Sequence, residues 1–196
     1  MKTIKVMQKT KAMGFYVAVM AALMGAGTAY AQTGELGIRI GASFGSLHSG
    51  SDAVRGASGK TGLHVGLFAR TGGDFYFQPE VNFSTFGGQY AYNGSTYEPA
   101  FRQLNVPLMA GYKLIDNDQL NFRVSLGPDL NLNLNSPDAP AGTAYKRFNL
   151  GGVLNAGIDV GRVTFDARYG LGLTAMHEGL EQRQRVFSLS VGFKIL

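Results

Sequence analysis

Leu120-Asn121-Phe122-Arg123-Val124-Ser125-Leu126-Gly127-Pro128-Asp129-Leu130-Asn131-Leu132 alternates in character residue by residue. Leu120, Phe122, Val124, Leu126, Leu130 and Leu132 share one parity; Asn121, Arg123, Ser125, Asp129 and Asn131 share the other. A period of two is the signature of an extended strand whose faces meet different surroundings, because successive Cβ atoms point to opposite sides of a pleated sheet. A helix would return its apolar residues every three to four positions, and this stretch does not.

The same period recurs on both sides of it. Leu36, Ile38, Ile40, Ala42 and Phe44 oppose Gly37, Arg39, Gly41 and Ser43; Leu63, Val65, Leu67 and Ala69 oppose Gly62, His64, Gly66 and Arg70. Phe75, Phe77, Pro79, Val81 and Phe83 oppose Tyr76, Gln78, Glu80 and Asn82, while Leu104, Val106, Leu108, Ala110 and Tyr112 oppose Gln103, Asn105, Gly111 and Lys113, with Pro107 as a local break in the ladder. Three more segments run from Phe148 to Val160, from Arg162 to Leu173 and from Arg185 to Leu196. That makes eight, and their connections alternate in length. Short ones fall at Thr71-Gly72-Gly73-Asp74, at Asp116-Asn117-Asp118-Gln119 and around Gly161; long ones span Leu47 to Gly59, Gly87 to Ala100, Asn135 to Lys146 and Ala175 to Gln184. Outer-membrane barrels pair tight periplasmic turns with longer outer loops in this way, so the expected fold is all-β, an eight-stranded antiparallel up-and-down transmembrane β-barrel with both termini periplasmic.

The N-terminus supports that destination. Lys2, Lys5, Lys9 and Lys11 precede an apolar stretch from Met13 to Ala26, and Ala29-Tyr30-Ala31 offers small residues at the two positions a signal peptidase reads. The stretch is short for a spanning helix, which needs roughly 18 or more residues. The expected division is therefore a cleavable signal peptide over residues 1–31, cut after Ala31, and a barrel domain over 32–196. Losing four lysines and no acids lowers the formal charge from +5 to +1, so the basic pI belongs largely to the signal. No Lys/Arg run survives to suggest nucleic acid, and the absence of cysteine excludes disulfides and thiolate metal sites.

Period two alone does not say which face is outside, since a soluble lipocalin-like barrel alternates too. Composition decides. A soluble barrel needs dense Lys and Glu outside, whereas the polar parity here is mostly Gly, Ser, Thr and Asn, and the apolar parity of the eight segments carries no ionisable group. Aromatics near the segment ends, Phe75, Phe77, Tyr112, Phe122 and Phe193 at one end and Phe44, Phe148 and Phe187 at the other, fit two interfacial girdles.

With the apolar face outward, Arg39, Arg70, Lys113, Arg123, Arg168 and Lys194 share the interior with Glu80, Asp129, Asp159 and Asp166. Charges in a low-dielectric interior must pair. Depth counting places a structural cluster of Arg39, Glu80, Arg123, Asp166 and Arg168 at mid-lumen, and Asp159, Lys194, Lys113 and Arg70 in a second layer at the periplasmic mouth. An eight-stranded lumen is only wide enough for side chains, so the cluster reads as a salt-bridge plug with negligible conductance.

Other chemical signals are weak. His48, His64 and His177 lie far apart, and none has metal-ligand spacing to another. His177-Glu178 reads as a solvated loop pair, Asp116-Asn117-Asp118 lacks the downstream residues of a calcium loop, and Asn93-Gly94-Ser95 reads as a loop tip. No catalytic, cofactor or metal residues are assigned. The loop from Gln89 to Tyr97, with Tyr90, Tyr92 and Tyr97 among small polar residues, has the composition of a recognition surface.

The order of motifs resembles the PorT-like outer-membrane β-barrel family of Bacteroidetes-type bacteria. It rests on Leu36-Gly-Ile-Arg-Ile-Gly-Ala, Thr61-Gly-Leu-His-Val-Gly-Leu-Phe, Phe77-Gln-Pro-Glu-Val, Leu104-Asn-Val-Pro-Leu, Leu126-Gly-Pro, Phe165-Asp-Ala-Arg-Tyr-Gly-Leu-Gly-Leu and Val186-Phe-Ser-Leu-Ser-Val-Gly-Phe-Lys. The resemblance implies an integral outer-membrane barrel with no shared catalytic residues, and one branch of it implies an accessory role in secretion or transport. Phe193 stands where Leu196 departs from the aromatic ending of many barrels. The expected function is a non-catalytic structural or surface-interaction role through the long outer loops, with a secretion accessory or narrow pore as the alternative. The expected partners are outer-membrane lipid and a surface or secretion-system protein.

Overall fold

The computed structural model describes residues 34–48, 54–92, 95–117, 119–135, 145–175 and 183–196. The chain divides into Met1–Gly34 and Glu35–Leu196, and the second unit is the barrel. Ala29 and Ala31, Asn93 and Gly94, Asp118, His177 and Glu178 lie outside the described residues.

Nine strands follow in order: β1 (Glu35–His48), β2 (Val54–Arg70), β3 (Phe75–Tyr92), β4 (Ser95–Tyr97), β5 (Ala100–Asp116), β6 (Leu120–Asn133), β7 (Phe148–Val160), β8 (Val163–Gly172) and β9 (Arg183–Lys194). Eight of them form the wall, in the order β2-β1-β9-β8-β7-β6-β5-β3, and pairing of β2 with β3 closes the ring. Every pairing is antiparallel. The seam between first and last strands is continuous from Gly37–Lys194 to His48–Arg183, and Ile195 and Leu196 both donate backbone N–H groups to the Leu36 carbonyl beyond it. A closed sheet leaves no edge, which is what a β-structure in hydrocarbon requires.

The short connections take their geometry from local chemistry. Gly73, at φ 96°, and Gly161, at φ 57°, occupy the left-handed region that costs other residues a Cβ clash. Thr71 caps the first turn from both sides: its backbone N–H donates to the Phe77 carbonyl at 3.0 Å, and its hydroxyl accepts the Phe77 N–H at 2.9 Å.

Burial inverts the soluble pattern. Ile40 is 62% exposed and Leu126 65%, while Arg123 and Gln78 are 0% exposed and Glu80 1%. A wall with apolar side chains outside and charges sealed inside has hydrocarbon, not water, as its solvent. Phe44 stacks on Phe187 at 6.3 Å toward one end of the band, and Phe75 meets Tyr112 at 5.0 Å toward the other.

Several expectations need correction. β2 begins at Val54, not Gly62, and β3 runs on to Tyr92, so the expected loops over 47–59 and 87–100 are largely strand. The tyrosine-rich loop is a β3–β4 hairpin with Tyr90 in register with Tyr97. The propensity of Tyr and Thr for extended backbone explains this, once β2 is there to pair with β3. The last strand begins two residues earlier than Arg185 and stops at Lys194. The outward parity also carries cations at the end with the long connections: Arg102 on β5 and Arg185 on β9 are both exposed.

Large inward side chains fit where their cross-strand partner is glycine, as Gly111 is to Tyr76 and Gly157 to Arg123. A Cβ at Gly157 would collide with the Arg123 guanidinium, and one at Gly111 would collide with the Tyr76 ring. Gly157→Val should therefore destabilise the refolded barrel by about 1–3 kcal/mol, the usual cost of overpacking, measured by urea titration of tryptic resistance. A Gly152→Val control, whose Cβ would meet only Leu173 at 3.8 Å, should cost much less.

Candidate functional site: the charged lumen

The alternation that turns Arg39, Arg70, Glu80, Arg123, Asp159, Asp166 and Arg168 inward brings them into one connected ionic network. Arg168 grips Glu80 with two parallel hydrogen bonds, Nη1 to Oε2 at 2.8 Å and Nη2 to Oε1 at 2.9 Å. Glu80 also meets Arg39 at 3.0 Å, and Arg39 reaches Asp166 at 3.5 Å. Arg123 spans two acids, with Nη2 2.7 Å from Asp166 and Nε donating to Asp159 at 3.0 Å. Asp159 passes the chain to Arg70 at 2.5 Å, Arg70 to Glu35 at 2.7 Å, and Glu35 to Lys194 at 3.0 Å.

Arg39, Glu80, Arg123, Asp166 and Arg168 are thus linked by direct ion pairs in the order Arg168, Glu80, Arg39, Asp166, Arg123. The residues of the second layer pair among themselves, Asp159 with Arg70 and Lys194, and Asp159 also joins them to the first by taking Arg123. Two placements differ. Lys113 pairs at 2.9 Å with Asp116, three residues on, at the turn, and Asp129 makes no ion pair among the described residues. Glu35 was missed, although it stands on the inward parity of Gly37 and Arg39 one step before the first apolar residue.

Neutral groups complete the network. Gln78 accepts from Arg70 Nε at 2.7 Å and donates to Glu80 at 2.6 Å; Asn82 donates to Glu80 at 2.9 Å; Asn155 donates to Asp166 at 2.9 Å. The buried Phe68 ring lies between two guanidinium groups, 4.9 Å from Arg39 and 5.5 Å from Arg70, and Tyr76 offers a second face to Arg70 at 5.5 Å. Phe68 occupies the parity of His64, Gly66 and Arg70, so strict counting along that strand locates it.

Toward the long-loop end the lumen becomes neutral. Ser43 and His64 share a hydrogen bond of 3.0 Å, Ser84 donates to Asn105 at 2.5 Å, Asn105 donates to Asn131, and Gln103 donates to Asn133 at 2.7 Å. Ser43, His64, Asn82, Asn105, Asp129 and Arg168 line a cavity of about 60 Å³, room for a few waters. Phe86 and Phe101, stacked at 4.9 Å, and Tyr145, edge-on to Phe101 at 5.0 Å, follow. Among the described residues no group of three or more His, Asp or Glu could hold a metal ion. Among the described residues the lumen is filled first by paired charges, then by neutral amides and hydroxyls, then by aromatic rings.

A closed eight-stranded sheet, apolar outside and ionic inside, is a transmembrane β-barrel. The chain belongs to the outer membrane protein beta-barrel domain family, which matches residues 30–178. Among solved structures it is similar to Neisserial surface protein A, at 15% identity and TM-score 0.53 over 82% of this chain and 97% of that one. Further similarities are to Ail, the attachment invasion locus protein of Yersinia pestis (15% identity, TM-score 0.47, 84% of this chain and 100% of that one), and to the N-terminal barrel of Pseudomonas aeruginosa OprF (15%, 0.39, 83% and 100%). No curated protein matches the chain by sequence.

Asp159 touches Arg70, Arg123 and Lys194 at once, so its removal strands buried positive charge. Asp159→Ala should lower barrel stability by about 3–5 kcal/mol, read as an earlier midpoint in urea unfolding followed by tyrosine fluorescence. Wild-type protein in planar bilayers should give no stable stepwise current.

Proposed function

We propose that this barrel is a non-catalytic outer-membrane protein whose work is done at its outer end, where it presents a recognition surface, with both termini in the periplasm and residues 1–31 removed after Ala29-Tyr30-Ala31. The observation that carries the reading is the extension of β2 and β3 past the barrel wall. β1 leaves β2 at the Gly45–Lys60 pair, yet β2 and β3 stay paired to Val54–Tyr92, and β4 joins β3 where β5 ends at the Gly87–Ala100 pair. A three-stranded ribbon therefore stands beyond the band of lipid-facing side chains, with Ser95 and Thr96 exposed and Lys60 bound to Glu98 at 2.7 Å across its base.

A membrane anchor gains nothing from such a ribbon, whereas a rigid strand platform positions contact residues at low entropic cost. The neutral, aromatic-capped upper lumen supports the same reading, since it fills the barrel without building a reaction centre. The tight turns at 71–74 and 161–162, opposite the ribbon, support periplasmic termini.

Replacing Gln89 to Glu98 by an Asn-Gly turn should leave the β3–β5 hairpin intact and reduce adhesion of whole cells while the secreted-protein profile stays unchanged. A loss of secreted proteins with adhesion intact would instead support the accessory role that the PorT-like motif order implies. N-terminal sequencing of the membrane-embedded protein should begin at Gln32, and an epitope tag after Leu196 should be inaccessible on intact cells.

A further inference from the structure

The outward face of β5, β6 and β7 changes character within one step. Leu104, Leu132 and Phe148 lie side by side across the three strands, Leu104 in register with Leu132 and Leu132 with Phe148. Two residues further out, on the same parity, come Arg102, Leu134 and Lys146, followed in chain order by Arg147. Backbone hydrogen bonds hold this outer row: Leu134 N–H donates to the Arg102 carbonyl and Asn133 N–H to the Arg147 carbonyl, both at 2.8 Å. Asn135 adds a side-chain clamp, accepting the Arg102 N–H at 2.9 Å and donating to the Ala100 carbonyl at 2.7 Å. Asn133 donates to the Lys146 carbonyl at 2.6 Å.

Arg102, Lys146 and Arg147 are exposed, and among the described residues none of the three makes an ion pair. Arg102 and Lys146 thus flank the exposed Leu134 on the outward row, separated across β6 by two strand spacings, roughly 10 Å, while Arg147, in register with the inward Asn133, belongs to the other parity. Arg102 and Lys146 stand on ordered backbone directly beyond a row of lipid-facing side chains, the depth at which a bilayer changes from acyl chain to headgroup. Their aliphatic stems can lie on Leu134 and Phe148 while the charged ends reach upward.

We propose that Arg102 and Lys146 form a binding site for the phosphate of an anionic outer-leaflet lipid, whose acyl chains lie on Leu104, Leu132 and Phe148. Charge complementarity selects the phosphate, and continuity with the apolar wall selects a lipid over a soluble anion or a protein. Arg102 presents a planar fork that takes two phosphate oxygens, and Lys146 closes the other side. The leaflet rests on the orientation proposed above, and the site is independent of the ribbon beyond β2 and β3.

The test uses the mature barrel in zwitterionic detergent, with dioleoyl phosphatidic acid or uncharged dioleoylglycerol added, and counts retained lipid by native mass spectrometry. The wild type should retain phosphatidic acid and not dioleoylglycerol. The R102Q/K146Q variant, its folding checked by heat-modifiable migration on a gel, should bind phosphatidic acid more than about tenfold more weakly. Arg162→Gln, which removes an exposed cation at the opposite end, should bind as the wild type does. Should the double variant not fold, R102Q and K146Q singly should each weaken retention. Equal retention of dioleoylglycerol, undiminished binding by the folded variants, an equal loss in R162Q, or displacement of the lipid by equimolar inorganic phosphate would each overturn the proposal.

Discussion

Closure of β1 against β9 is the constraint on which the rest depends. In hydrocarbon an unpaired N–H or carbonyl costs several kcal/mol, so a sheet either closes or does not enter. Here the first and last strands of the domain must meet, and the chain reinforces that meeting beyond the ladder: Glu35 binds Lys194 of β9 and Arg70 of β2, and the last two residues hydrogen-bond to Leu36. The ionic network then repeats the logic inside. Its members come from β1, β2, β3, β6, β7, β8 and β9, so every wall strand but β5 is tied through charge to strands far from it in sequence.

The eight wall strands were legible from alternation, and the sidedness of the wall from the composition of its two parities, because hydrocarbon outside and a packed lumen inside impose opposite demands on successive residues. Parity also placed Arg39, Glu80, Arg123, Asp166 and Arg168 on one side of the wall. It did not supply their pairings, which depend on stagger between strands. Asp159 shows this. Counting from strand ends places it near the mouth beside Arg70, and the register of β7 on β6, which pairs Gly157 with Arg123, sets it one diagonal step from Arg123 as well. The ribbon was illegible for a different reason. Gly, Ser and Thr near the ends of β2 and β3 read as loop by composition, and their strand character comes only from pairing with each other.

Polar cost is distributed unevenly along the lumen. Charged groups concentrate where Phe68, Tyr76 and glycine walls exclude water, and there each carboxylate has two or more cationic or amide partners. Above that level the lumen turns to Asn, Gln and Ser, which satisfy one another without net charge, and then to stacked rings. A single barrel therefore contains three packing regimes in series. The outer rim adds a fourth, exposed cations on the outward face, which the wall below could not tolerate.

The glycines at 111 and 157 place a condition on how such a lumen can change. Tyr76 and Arg123 occupy space that any Cβ at those positions would fill, so a large inward side chain and its facing glycine form a unit distributed over two strands. In any lineage that builds up its lumen by single substitutions, the wall must thin before the side chain can grow. The reverse order passes through an overpacked barrel. The interior of this protein thus carries a direction of accessible change, written in residues that carry no side chain.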